Sequence, residues 1–411
     1  MAVKTPIYMD YNATTPVDPR ALDTMLPFLR EQFGNAASEL HTFGQQARQG
    51  VEDAREQVAE LINADPREIV FTSGATESDN LAIKGVFENY REKGNHIVTS
   101  RTEHKAVIDV CEYLETQGAE VTWLTPDSSG VISADQVAEA ITDRTILVSV
   151  MSANNETGTL NPVARIGAVA KERGVLFHCD ATQSVGKLPT DVDSMGIDLL
   201  SISAHKIYGP KGVGCLYVRR KDPAVRLAIQ MHGGGHERNR RSGTLNVPGI
   251  VGFGAACDIA ADRMHDEAAR LAGLRDRLHS GIVAEVEDVH LNGHPDARLP
   301  NTLNLSFQYI EAEALITRLR DLAVATGSAC TTASHESSHV LEAMGFDHRR
   351  AQGSIRFSIG RFTTEEEIDH AVSLIAKPVH LLRELSPFYE EASSRQCGPE
   401  GCCPGGGCSA G

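Results

Sequence analysis

Between Glu68 and about Val218, short runs rich in β-branched residues alternate with longer amphipathic stretches. The short runs are Ile69-Val-Phe71, Ile97-Val-Thr99, Val121-Thr-Trp-Leu124, Ile146-Leu-Val-Ser-Val150, Val175-Leu-Phe177 and Gly214-Cys-Leu-Tyr-Val218. Helical patterns lie between them. Ser133-Ala-Asp-Gln136, for example, is a capping box that opens a run to Ile141. Such alternation predicts an α/β fold, with a mostly parallel sheet under helices and ligands at the carboxyl ends of the strands. After about Asp262 the pattern changes. A charged helix is expected from Asp266 to Glu285, then the strand-like Asn301-Thr-Leu-Asn-Leu-Ser-Phe307, another helix, and a closing helix begun by Thr363-Thr-Glu-Glu-Glu367. A chain of 411 residues exceeds one compact core, so a second, smaller α+β unit is expected here.

The formal charge of −16 argues against a nucleic-acid footprint, which needs a concentrated excess of Lys and Arg. The N-terminus reaches Asp10 before any apolar signal-like run, and later apolar stretches are broken by charge too early to span a bilayer. A soluble, cytoplasmic protein without membrane contact is therefore expected. Nine cysteines without a framework make structural disulfides an unsuitable reading for such a chain.

The chemistry concentrates in two segments. Lys206 stands in Ser201-Ile-Ser-Ala-His-Lys-Ile-Tyr-Gly-Pro-Lys-Gly-Val-Gly214, and Asp180 ends the apolar run Val175-Leu-Phe-His-Cys-Asp180. A lysine among small, hydroxylic and imidazole side chains suits a Schiff base with an aldehyde, and an aspartate at a buried strand end suits a pyridinium nitrogen. That pairing points to pyridoxal phosphate. Thr72-Ser-Gly-Ala-Thr-Glu-Ser-Asp-Asn80 between a strand and a helix offers backbone N–H groups to a phosphate. Thr102-Glu-His-Lys105 puts His104 at another strand end, where it can stack on a ring or move a proton.

The segments Asp10-Tyr-Asn-Ala-Thr-Thr-Pro16, Phe71 to Asn80, Thr102-Glu-His-Lys-Ala-Val107, Asn154-Asn-Glu-Thr-Gly158, His178 to Lys187, His205-Lys-Ile-Tyr-Gly-Pro-Lys-Gly212 and Arg241-Ser-Gly-Thr-Leu245 together resemble a cysteine desulfurase of the type that supplies sulfur for iron–sulfur cluster assembly. Gly327-Ser-Ala-Cys-Thr331 and Ser354-Ile-Arg-Phe-Ser-Ile-Gly-Arg361 extend the match to about Pro387. The resemblance implies a fold-type-I pyridoxal 5′-phosphate enzyme. Its large domain, residues 15–261, would carry a seven-stranded sheet. Its small domain, residues 1–14 and 262–392, would carry a mobile catalytic loop, while the Cys- and Gly-rich stretch 393–411 departs from the family pattern and is expected to be a flexible tail.

By the same resemblance, Lys206 carries the cofactor, Asp180 pairs with its ring nitrogen, Gln183 bonds its ring oxygen and His104 stacks on the ring. Ala75, Thr76, Ser203 and His205 hold the phosphate, with Thr244 reaching across from a second subunit, so a homodimer is implied. Asn155 serves both cofactor and substrate, and with Arg356 grips the carboxylate of L-cysteine, a task suited to a planar guanidinium. Cys330 attacks the substrate sulfur and becomes a persulfide while alanine departs. The persulfide then serves an iron–sulfur scaffold protein or another sulfur acceptor.

Cys330 separates this reading from other pyridoxal-phosphate enzymes. Its surroundings, Ala323-Val-Ala-Thr-Gly-Ser-Ala-Cys-Thr-Thr-Ala-Ser334, are small and hydroxylic, which favours an accessible nucleophile. Cys330 is also a candidate ligand to a cluster on an acceptor. Cys111, Cys179, Cys215 and Cys257 sit in apolar patterns and read as buried thiols. Rival readings are a fold-related aminotransferase, a selenocysteine lyase, and a sulfur or metal carrier that uses the Gly- and Pro-rich tail with Cys397, Cys402, Cys403 and Cys408.

Overall fold

The computed structural model describes residues 3–327 and 337–389. Seven strands form the main sheet: β1 (Ile69–Thr72), β2 (His96–Ser100), β3 (Glu120–Leu124), β4 (Thr145–Ser149), β5 (Leu176–Asp180), β6 (Leu199–Ser203) and β7 (Gly214–Val218). Their spatial order is β1-β7-β6-β5-β4-β2-β3. β3, β2, β4, β5 and β6 are mutually parallel, while β7 runs antiparallel to both β6 and β1. Six strands match the apolar runs of the sequence. The seventh, β6, is the stretch leading into the lysine motif, where serines at 201 and 203 interrupt the apolar run.

Side-chain alternation divides the sheet between two hydrophobic clusters. Ile69, Phe71, Val98, Val148, Phe177, Cys179, Leu200, Ile202 and Tyr217 join one. Val70, Ile97, Leu147, Leu176, Leu199 and Leu216 join the other. Cys179 therefore faces away from the side to which Leu176, His178 and Asp180 point. The second face is covered by α1 (Ala75–Tyr90) and α2 (Lys105–Thr116), which supply Leu81, Ile83, Val86, Val107 and Val110.

A third cluster belongs to a smaller sheet, Ser354–Ser358 beside Thr302–Phe307 beside Val289–Leu291, all antiparallel. The closing helix Glu365–Glu384 packs there and starts with a capping box between Thr364 and Glu367. A short parallel pair, Ile7–Tyr8 with Leu322–Ala323, ties the N-terminal segment to the same unit.

The charged helix is longer than the sequence pattern predicts. It runs unbroken from Val247 to Glu285 as α3, capped by Asn246. Its first part was hidden because Gly249, Gly252 and Gly254 weaken helix propensity and blur the periodicity. Gly254 is needed for close packing: a Cβ there would lie 2.6 Å from Ala54 Cα on the neighbouring helix Thr42–Leu61. Val247 to Ala260 pack into the main core, and Leu271 to Ile282 into the small one.

One buried ion pair fastens the loop after β7 to this frame. Arg55 donates to both carboxylate oxygens of Glu237 at 2.8 Å, and Glu237 also accepts from the Phe71 N–H at 2.8 Å. Both side chains are 3% exposed or less. Removing one partner strands the other charge in the core, so Glu237→Ala is expected to cost about 3–5 kcal/mol, measurable as a lowered denaturant midpoint.

Candidate active site

The carboxyl ends of β1, β2, β4, β5 and β6 open into one cavity of 440 Å³. After β1 come Ser73 to Glu77; after β2, His104; after β4, Met151, Ala153 and Asn155. Asp180, Thr182 and Gln183 close β5, while Ser203, His205 and Lys206 close β6. Parallel strands bring successive loops to one sheet edge, which is why residues far apart in sequence meet here. Ala13 and Thr14 complete the wall from the N-terminal segment, and Lys211 and Gly212 from the turn before β7.

Lys206 lies on a single 3₁₀ turn, Ala204–Lys206, directly after β6. Its Nζ donates to the carbonyl oxygens of Asn12 and Ala13. Asp180 is 5% exposed and accepts from the Thr182 N–H at 2.9 Å. Burial raises its pKa above the usual carboxylate value, and the nearby charge of Asp79 adds to the effect. Glu103, fully buried behind the site, is pushed up to about 8 by burial and then by the charges of Asp180 and Asp79, despite bonds from Met151 N–H and Ser100 Oγ.

The cavity also carries basic side chains. His205, Lys206 and Lys211 line it, and His205 is pulled down to about 4 by burial and then by Lys206, Lys211 and Lys187. His205 is thus a neutral ring at pH 7, its Nδ1 3.1 Å from Thr14 Oγ1. Lys187 donates to the Gln183 carbonyl at 2.8 Å and is lowered to about 7, first by burial and then by Lys206. Here α1 begins, with Gly74 at φ +152°, ψ −178° as its N-cap and no side-chain cap. Only glycine holds that conformation without strain, and it leaves the first N–H groups of α1 facing the cavity.

Of the residues named from sequence, Ala75, Thr76, His104, Asn155, Asp180, Gln183, Ser203, His205 and Lys206 all line this cavity. His104 also caps α2, its Nδ1 accepting from the Ala106 N–H at 3.1 Å. Gln183 donates to the Asn12 carbonyl at 3.1 Å. Arg356 sits deeper. It donates to the Asn155 carbonyl at 2.9 Å and pairs with Asp10 at 2.8 Å, and its buried Nε lacks a hydrogen-bond partner. Thr244 is exposed on the loop before α3 and is not among the lining residues. Cys330 and the four tail cysteines lie outside the described residues. Cys111, Cys179, Cys215 and Cys257 are buried free thiols.

Sequence reading missed Asn12, Thr14, Lys211 and the buried carboxylates of Asp79 and Glu103. Asn12 and Thr14 lie in Asp10-Tyr-Asn-Ala-Thr-Thr-Pro16, and a strand pattern gives no sign that residues 12–14 reach the main sheet. A second arrangement was equally hidden. Glu156 accepts from Ser338 Oγ at 2.5 Å, and its Oε2 would lie 2.0 Å from a Cβ on Gly327.

The cavity fits pyridoxal phosphate by its chemistry: a buried carboxylate suits a protonated ring nitrogen, and lysines with the start of a helix suit a phosphate. A model of the aminotransferase class-V family matches residues 7–371. The chain belongs to that family. Within the class-V family, a protein of Salmonella schwarzengrund named "Cysteine desulfurase IscS" is 57% identical over 390 residues, covering 94% of this chain and 96% of the relative. A solved NifS-like protein superposes with a TM-score of 0.85 at 40% identity, covering 91% of this chain and 99% of that one. The structure titled "SspA in complex with cysteine" gives 0.77 at 40% identity over 87% of this chain and 99% of that one. These matches place the chain among the cysteine desulfurases of the class-V family, and its cofactor is pyridoxal 5′-phosphate.

Because Glu103 has a raised pKa in the folded state, the native protein binds its proton more tightly than the unfolded chain does. Its contribution is fully present below about 4.5 and is lost as pH rises through about 8. Glu103→Gln should therefore remove a decline in stability of up to about 1.4 kcal/mol per pH unit across that window, read from denaturant midpoints at several pH values.

Proposed function

We propose that this enzyme is a cysteine desulfurase that converts L-cysteine to L-alanine and leaves the sulfur as a persulfide on Cys330. The observation that carries the proposal is the cavity in which Lys206, Asp180, Gln183, His104 and the first residues of α1 converge, within a chain so similar to a named cysteine desulfurase. Bound pyridoxal phosphate supplies an aldehyde for covalent capture of an amine and a ring that accepts electrons. Asp180 holds a proton at the ring nitrogen, and Ala75, Thr76, Ser203 and His205 orient the phosphate. Lys206 Nζ, placed by the Asn12 and Ala13 carbonyls, moves the proton at the substrate Cα. His104 would pack against the ring and Gln183 would bond its oxygen. Arg356 and Asn155 orient the substrate carboxylate.

Cys330, as thiolate, then attacks the substrate sulfur. A sulfur–sulfur bond forms, the Cβ–S bond breaks, and its electron pair stays with the three-carbon fragment, which takes up a proton and leaves as alanine. The sum is one cysteine and one enzyme thiol converted to one alanine and one persulfide. The persulfide passes to a scaffold protein for iron–sulfur clusters or to another acceptor. An aminotransferase reading has no use for Cys330, and a carrier without catalysis has no use for Lys206 and Asp180.

The working form in this proposal is a cytoplasmic homodimer with Thr244 of each subunit completing its partner's phosphate site. Exposed apolar side chains at Leu22, Leu29, Phe33, Leu40 and Phe43 support a subunit interface, and the unpaired thiols support a reducing compartment. The division into 15–261 and 1–14 with 262–392 is supported by the separate cores, which share α3. Residues 393–411 serve as a tethered thiol module that takes up metal or accepts sulfur.

Cys330→Ser should retain the visible cofactor band and its change on adding cysteine, yet form no persulfide by mass spectrometry. Sulfide release at the normal rate from that variant would assign the nucleophile to another thiol. Arg356→Ala removes a charge-assisted contact worth about 1.5–3 kcal/mol. It should weaken cysteine binding roughly tenfold to a hundredfold in a spectral titration.

A further inference from the structure

Asp79, in the second turn of α1, is completely buried, and neither carboxylate oxygen receives a hydrogen bond. An isolated buried carboxylate costs several kcal/mol, so it must meet a cation or take up a proton. The group placed to supply the cation is His178, whose Nε2 lies 3.5 Å from Asp79 Oδ1. His178 is also completely buried. Its Nδ1 is 2.9 Å from Ser149 Oγ on β4 and its Nε2 is 3.1 Å from Ser201 Oγ on β6. Each serine oxygen can accept a hydrogen bond. A doubly protonated ring therefore finds an acceptor at both N–H groups without any rearrangement.

The location gives the pair its consequence. His178 stands two residues before Asp180 on β5, so the two side chains share a sheet face. The groups acting on Asp180 from the surrounding elements are Asp79 on α1 and His104 at the start of α2. Glu103, beside His104, feels both Asp180 and Asp79. Cys111 on α2 and Cys179 on β5 are thiols held uncharged by burial and by these same carboxylates. Asp79 therefore bears on Asp180 through its charge state, and the His178 ring, 3.5 Å from it, shares the Asp180 face of β5.

We infer that His178 and Asp79 form a buried imidazolium–carboxylate pair that sets the charge on Asp180, so that both are positioning residues for the carboxylate that holds the cofactor ring. The inference rests on the reading of Asp180 as the partner of the ring nitrogen. Loss of the imidazole would leave the Asp79 charge uncompensated, and the site would hold protons more tightly. Loss of both partners would remove the disturbance together with its remedy.

The test is a pH titration of the visible absorption band of the holoenzyme, with no turnover involved. His178→Gln should raise the band's midpoint by about one pH unit, a tenfold change in the proton equilibrium. Adding Asp79→Asn to that variant should return the midpoint most of the way to the wild-type value. Equal midpoints in His178→Gln and the double variant would overturn the pair, because Asp79 would then carry no charge for His178 to balance. If His178→Gln does not retain cofactor, ring-¹⁵N-histidine NMR of the wild-type holoenzyme decides, the resonance being assigned by its shift in Asp79→Asn. Two protonated ring nitrogens near neutral pH support the pair, and a neutral tautomer overturns it. A wild-type enzyme without the visible band would instead fault the cofactor reading, which keeps the two failures distinct.

Discussion

The register between two neighbouring parallel strands governs this site. Asp180 on β5 lies opposite Ser201 on β6, so the carboxylate and the lysine that follows on the 3₁₀ turn reach the same cavity from adjacent strand ends. A slip of β5 by one residue would turn its side chains to the opposite face, bringing Cys179 to the cavity and Asp180 into the apolar core. Buried alternation along both strands, with Leu176, Phe177, Leu199 and Leu200 divided between two clusters, makes such a slip costly. The hydrophobic pattern that specifies the sheet therefore also specifies where the chemistry can be.

Asn12 does the corresponding work between the two cores. Its carbonyl accepts from Lys206 and Gln183 of the main unit. Its side-chain amide donates to Thr302 Oγ1 at 2.9 Å and to the Asn155 carbonyl at 3.2 Å, while its N–H donates to Ser358 Oγ at 2.9 Å. Satisfied buried polar groups of this kind fix one arrangement, since any displacement leaves several of them unpaired. The placement of Lys206 thus depends on strands of the smaller sheet.

Much of this was legible in the sequence. The strand runs, the Ser133 capping box, the Thr364 helix start and the lysine and aspartate segments all carry local signals, because propensity, capping and alternation are written over a few residues. Charge coupling is not local. Asp79 sits in a helical pattern and Glu103 next to a histidine motif, and neither spacing indicates that both come to rest behind Asp180. The first half of α3 was illegible for a different reason. Its glycines serve packing against Ala54 and Met25 at the expense of the helical signal. Arg356 was recognised as an anion binder from a motif, but its engagement with Asp10 depends on a bridge between the N-terminal segment and the small sheet.

The continuous α3 has a mechanical consequence. At 39 residues it is a rod of about 58 Å, embedded at one end beside the main sheet and at the other beside Ser354–Ser358 and the closing helix. A rod packed into two cores couples their positions. A tilt of about 5° at the glycine-packed end would carry the far end through roughly 5 Å over that length. A change in how Gly252 and Gly254 seat against Met25 and Ala54 would therefore be felt in the unit that carries Arg356.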